Sequence, residues 1–345
     1  MKTSLFLALL MLSTSLMAQI KKFDMLTVFE QRFDLRATKI VIDGQFCHVV
    51  VNKSTDGHSI LVGKLEAMAK SDDYKVIVDE SNDEAKVHVT VSNEEKSSFA
   101  GELTLSVSPD VKVIITTVSG YVDIVDVNRA NVEVKSNSGK LRASDTDGLL
   151  DLNSRSGIVS LKNLKGEVNV ETASGAVTAE DVEGSLSIET ISGAVNVDKT
   201  SDNVKIKTTS GNIDVNNIKG TLTTDNSSGF TKISTTEGVV NAKTYSGAIN
   251  FFKVKCEMHI ETYKGAVTGS SDITLTASSD FTSDQGKINL RLKNDKKDLS
   301  FNMKCTENKK ANLMAKGTSK NKKLQEGNGS IIITATSRIA SMVFQ

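Results

Sequence analysis

Eight serines recur at a near-constant interval, Ser119, Ser138, Ser156, Ser174, Ser192, Ser210, Ser228 and Ser246, and each stands directly before a glycine. A serine attacks a substrate only when an adjacent base takes its proton. The four histidines, His48, His58, His88 and His259, do not recur with them, so the column reads as structural. Thr172, Thr190, Thr208, Thr244 and Thr262 lie two residues before the serine position of their repeats and read as a ladder at the same corner. Asp126, Asp145 and Asp181 stand six residues after the glycine, with Asn163 interrupting them. Paired acids hydrolyse glycosides or hold Ca²⁺, which makes a carbohydrate-active β-helix enzyme, a polysaccharide lyase or hydrolase, the rival reading. No base repeats beside these acids, and any solvated strand shows polar residues outward. The expectation is therefore a non-enzymatic chain with no catalytic residue, cofactor or metal ligand.

Binding chemistry is better represented. Aromatics make up only 5% of the chain, yet Tyr245 and Tyr263 fall one repeat apart at the same corner, with Phe230 and Phe252 in nearby columns. Such rings can seat sugars or a protein partner, or simply pack under the C-terminal end. The net charge is zero, but Lys287 to Lys323 holds twelve basic and three acidic residues, a net of plus nine. Lys296, Lys297, Lys309 and Lys310 are its candidate anion ligands, for an anionic envelope polymer or glycan. The same lysines would also blunt exposed strand edges. No base-stacking motif accompanies them, and nucleic acid is not expected. Cys47, Cys256 and Cys305 are too few and too scattered for a disulfide framework or a zinc site. A Cys256–Cys305 bridge and free thiols both remain open.

These residues are positioned by a repeat. ETASGAV at 171–177 returns as ETISGAV at 189–195, and after one spacing of nineteen (Gly120 to Gly139) every Ser-Gly glycine follows the last by eighteen residues, through Gly265. A second punctuation column lies nine residues on, at Gly148, Gly166, Gly184, Asp202, Gly220 and Gly238. Apolar residues stand two and four places after the first glycine and again at eleven and thirteen, as in Val195, Val197, Val204 and Ile206. That period of two places side chains on one face of a strand, and Val, Ile and Thr are strand residues. A coil of eighteen residues cannot bury its apolar face alone, so coils must stack. The spacing predicts an all-β, parallel β-solenoid with glycine at its corners, Gly193 among them, at positive φ. Parallel stacking brings equivalent residues about 4.8 Å apart. Steps of eighteen through Glu189, Lys207, Asp225, Lys243 and Glu261 alternate in sign accordingly.

The first eighteen residues, with Lys2, an apolar run from Leu5 to Leu12 and Ala18, have the layout of a secretory signal peptide. No later segment reaches the roughly 18 apolar residues of a membrane span. The expected organisation is a signal peptide 1–18, a linker 19–36, and one solenoid domain 37–345 with an N-terminal cap 37–118, regular coils 119–269 and a C-terminal cap 270–345. The run LTLSVSPDVKVIITTVSGYVDI, the SGxV units and the closing GNGSIIITATSRIA resemble the bacterial putative-adhesin family of β-strand-repeat domains of unknown function. They are similar also to the head domain of autotransporter adhesins. The resemblance implies the solenoid fold and an adhesin-like role, and supplies no catalytic residues. The resulting expectation is an exported adhesin-like or scaffold protein of the periplasm, cell surface or medium, with an envelope stress or sensing accessory as a further alternative. Glycans or a surface protein are the expected partners.

Overall fold

In the computed structural model, which describes residues 25–68, 73–91, 99–308 and 311–345, the chain is a parallel β-solenoid. Strands Leu141–Ser154, Val159–Thr172, Val177–Thr190, Val195–Thr208 and Ile213–Asn226 are consecutive, and each pairs in parallel with the next at an offset of eighteen residues. Each long strand bends once, so the stack has two walls. The Ser-Gly corner closes each coil. The signal peptide expected at 1–18 lies outside the described residues. Among the described residues, no helix is long and apolar enough to cross a membrane.

The core is built of columns. Val159, Val177, Val195 and Ile213 are stacked and buried, as are Leu161, Ala179, Val197 and Val215, and on the other wall Val168, Leu186, Val204 and Leu222. A further inward column, Leu164, Val182, Thr200 and Ile218, lies seven residues after the glycine. It fills the bend between the walls, where the strict alternation of the arms is interrupted.

The outward charge columns fall in register. Glu189 pairs with Lys207 at 2.7 Å, Lys243 with Glu261 at 3.2 Å and Lys165 with Glu183 at 3.0 Å. Glu171 stands beside Glu189 and instead accepts from Asn153 Nδ2 at 3.1 Å. All of these groups are solvated, so they set register more than they add stability.

At both ends the order of coils in space departs from the order in the chain. Lys39–Gln45 and His48–Lys53 form a coil that lies between Glu84–Thr90 with Phe99–Val107 on one side and Lys112–Thr117 with Val122–Val125 on the other. The last segment does the same. Ile331–Ser337 and Met342–Phe344 lie between Ser279–Ser283 with Ile288–Leu292 and Leu299–Cys305 with Asn312–Ala315. Antiparallel strands cover the outermost coils: Leu26–Leu35, Ser59–Ala67 and Lys75–Ser81 at one end, Thr318–Asn321 and Lys323–Glu326 at the other. Part of the stretch expected as a linker, 19–36, is thus strand, because Leu26–Leu35 pairs with Ser59–Ala67.

Candidate functional surface

The Ser-Gly corner is held from three directions. The serine amide donates to the preceding coil, as Ser192 N–H does to Ala173 O at 3.0 Å. Its hydroxyl donates to the same carbonyl at 3.4 Å, and Ser210 and Ser228 repeat the contact with Ile191 O and Thr209 O. The glycine amide donates to the buried hydroxyl three residues earlier: Gly193 to Thr190 Oγ1 at 2.9 Å, Gly211 to Thr208 at 2.9 Å, Gly175 to Thr172 at 3.1 Å. Beyond Asn226, whose side-chain oxygen takes this role, the hydroxyl turns round. Thr244 Oγ1 donates to Gly247 O at 3.0 Å and Thr262 Oγ1 to Gly265 O at 2.7 Å. The serine and threonine columns are thereby committed to the backbone.

Gly193 is required for a reason other than the expected one. Its φ is not positive; a Cβ there would overlap the carbonyl oxygen of Gly175 in the neighbouring coil. The positive φ lies in the second column, with Gly184 at +121° and Gly220 at +131°.

The acidic column also has a backbone explanation. Asp126, Asp145 and Asp181 have φ of 53°, 54° and 55°, and the interrupting Asn163 has 51°. They are left-handed bend residues, a conformation that Asp and Asn tolerate better than other side chains. Asn163 Nδ2 donates to Asp145 Oδ1 at 2.6 Å, and Lys199 lies 3.6 Å from Asp181. Two histidines are likewise tied to carboxylates: His48 lies 2.9 Å from Asp123, and His259 lies 2.8 Å from Glu257 and 3.3 Å from Asp280. The three thiols are free and buried, so Cys256 and Cys305 are not bridged. Burial pushes Cys47 and Cys256 up to about 12, the neighbouring Asp43 adding to the effect at Cys47.

The expected binding residues separate into three places. Tyr245 and Tyr263 stand against each other, ring centroids 4.7 Å apart and 11° from parallel, with the Lys264 ammonium 5.7 Å from the Tyr263 ring centre. Phe230 lies on the same corner, directly after Gly229. Phe252 does not. It sits at the left-handed bend beside Lys253, which approaches its ring at 5.2 Å. Of the lysines, Lys296 is held by Glu326 at 3.0 Å and Lys297 lies 3.8 Å from Asp295, while Lys309 and Lys310 lie outside the described residues. Sequence reasoning missed further members of the corner. Val118, Tyr121, Ile158 and Ile191 are exposed there, and Phe46 joins them from the interleaved N-terminal coil, whose Cys47 stacks on Gly120 in the glycine column. For Val118, Tyr121, Ile158 and Ile191 the available signal was their position, two before or one after the corner glycine.

The sequence profile of the Toastrack DUF4097 domain matches residues 37–250. The chain belongs to the Toastrack DUF4097 family. No functionally curated protein matches it. Among solved structures, this family member is similar to a putative adhesin from Parabacteroides distasonis, 14% identical over 70% of this chain and 96% of that one, with a TM-score of 0.40. A putative lipid binding protein from the same organism is 16% identical over 72% and 96%, TM-score 0.35. A putative adhesin from Parabacteroides merdae is 14% identical over 70% and 96%, TM-score 0.30.

Proposed function

We propose that this Toastrack DUF4097 chain is an exported, non-enzymatic, adhesin-like scaffold of the bacterial envelope or surface, a single solenoid domain over 37–345 that follows a signal peptide. The observation that carries the reading is how the repeated reactive groups are used. The serine hydroxyls bond neighbouring carbonyls, the threonines hold glycine backbone, and the acids that suggested glycoside chemistry make left-handed bends. What the repeat leaves for recognition is a long outward surface and a lysine-rich C-terminal end.

The ligand class is an anionic envelope polymer or glycan at that basic end. Lys297 is solvated and lies 3.8 Å from Asp295, and exposed cations act over about 10 Å at 0.1 M salt. The test is retention of the mature protein on purified anionic envelope polysaccharide across a salt series. Replacing Lys296, Lys297, Lys309 and Lys310 by Gln should weaken retention and flatten its salt dependence, with the far-UV spectrum unchanged. Unaltered retention would remove the basic end from consideration.

A further inference from the structure

Thirteen large apolar side chains are exposed among the described residues, and eight of them sit at the Ser-Gly corner. Ile191 is 59% exposed, Tyr121 59%, Tyr245 55% and Ile158 54%. Scattered apolar residues on a surface need no explanation, but their alignment along one edge does. Charge is sorted in the same way. From the coil of Gly120 to that of Gly265, the four corner positions of each coil contain no carboxylate, although the chain as a whole has as many acids as bases. They do contain Lys140, Arg155 and Lys264. The opposite bend carries Asp126, Asp145, Asp181 and Asp272 together with Lys199 and Lys253. The molecule thus has one apolar edge that carries cations and no carboxylate over these coils, and one bend of mixed charge.

We infer that the Ser-Gly edge docks onto an anionic lipid surface. Eight coil steps at about 4.8 Å give the edge a length of roughly 38 Å. A row of exposed side chains of that length offers a contact line to an extended surface. Tyrosine and aliphatic side chains projecting from it can seat at the headgroup and acyl boundary, while lysine and arginine reach lipid phosphates and keep their stems in the apolar layer. Two other occupants fit less well. In an edge-to-edge pair with a second copy, the three cations would face a surface that offers them no carboxylate. A sugar chain needs ring faces to stack on, and Tyr245 and Tyr263 turn their faces toward each other. The inference stands on this edge alone and is independent of the ligand proposed for the basic end.

The test is co-sedimentation of the mature chain with vesicles of phosphatidylglycerol and phosphatidylcholine in equal parts, beside vesicles of phosphatidylcholine alone. Wild type should bind the anionic vesicles at least tenfold more tightly. Ile158→Ser with Ile191→Ser should reduce that binding about tenfold or more, by removing apolar area from the contact. Ala194→Asp, which places a carboxylate on the edge at an exposed position, should reduce it without removing a large side chain. Leu149→Ser with Ile332→Ser, exposed elsewhere, should bind as wild type, and circular dichroism should show all variants folded. Failure of wild type to bind anionic vesicles overturns the inference, as does unchanged binding by folded edge variants. A dimer in light scattering that Ala194→Asp converts to monomer also overturns it, by making a second copy the occupant.

Discussion

Gly193→Ala is the most direct probe of how the coils are held together. A Cβ at this position would overlap Gly175 O, with 2.8 Å to Thr190 Oγ1 and 3.0 Å to the Gly175 carbonyl carbon. The obstructing atoms nearest to it are backbone, which cannot swing aside, so the two coils must part by about 1 Å from their spacing of about 4.8 Å. Ser192 N–H to Ala173 O at 3.0 Å and Val177 N–H to Ala194 O at 2.9 Å span this junction, and an added ångström takes both out of range. The bond from Gly193 N–H to Thr190 Oγ1 at 2.9 Å is disturbed as well. At about 1 kcal/mol for each bond lost, and more where a buried group is left unpaired, the substitution should cost about 2–4 kcal/mol. Reduced freedom of the unfolded chain returns less than about 1 kcal/mol. Urea denaturation followed by circular dichroism gives the comparison, with hydrogen exchange of adjacent coils as a second readout, because stacked repeats need not unfold in one step. Ser192→Ala is the reference and should stay within about 0.5 kcal/mol of wild type. If Gly193→Ala matches that reference, coil contact at the glycine column is not what the geometry indicates, and the explanation of the repeat's most regular residue fails.

Three other outcomes are expected. Thr200 occupies an inward column between Val182 and Ile218, and its hydroxyl has no hydrogen-bond partner, so Thr200→Val should stabilise by about 1 kcal/mol in denaturant midpoints. The buried Cys47 and Cys256 thiols titrate near 9.0 when exposed and about 12 in the fold. Above pH 9 the unfolded chain therefore releases protons that the folded chain retains, and stability falls as pH rises. Each thiol removes about 1.4 kcal/mol by pH 10, so Cys256→Ala should flatten the alkaline slope of unfolding free energy. Arg338 binds Asp284 through Nη2 at 3.0 Å and Glu307 through Nη1 at 2.9 Å, joining the coils on either side of the last segment. The guanidinium lowers the pKa of Asp284, so this latch is present above the ordinary carboxylate range and is lost as pH falls. Arg338→Ala should speed hydrogen exchange in Ile331–Ser337 at neutral pH and make it less sensitive to acid.

The regular coils were legible because one constraint acts on every repeat. A side chain that faces inward must do so eighteen residues later, so Val177, Val195 and Ile213 announce the stack, and Glu189 with Lys207 announces its register. The inward column at Leu164, Val182 and Ile218 was missed because it is a single residue at the bend, between arms whose alternation draws attention. Positive φ was expected at Gly193 and found at Gly184, since a glycine letter does not distinguish a missing Cβ needed for backbone conformation from one needed for contact. The exposed edge was half visible. Tyr245 and Tyr263 share a column, but Tyr121, Ile158 and Phe230 stand one after the glycine and Ile191 two before it. Only the closed corner shows that these two columns flank one ridge.

The order in which the coils stack at the ends was not legible, and the reason lies in what holds them. The coil of Lys39–Lys53 is paired with Glu84–Val107 and Lys112–Val125, both later in the chain, so no repeat period records its neighbours. The final coil similarly enters between two earlier ones, where Phe344 is fully buried with Phe281 and Phe301 at ring distances of 5.0 and 6.1 Å. In a solenoid stacked in chain order the terminal coils have one neighbour each and fray first. Here the first and last coils of the chain have coils on both sides, and the positions exposed to fraying pass to other coils, covered by antiparallel strands. These strands also replace open parallel edges with short ones such as Thr318–Asn321 and Lys323–Glu326, which carry Lys320 and Lys323. Charged, short edge strands oppose addition of further chains. Lys320 and Lys323, which belong to the same basic segment as the candidate anion ligands Lys296 and Lys297, therefore have a physical role of their own in keeping the stack finite.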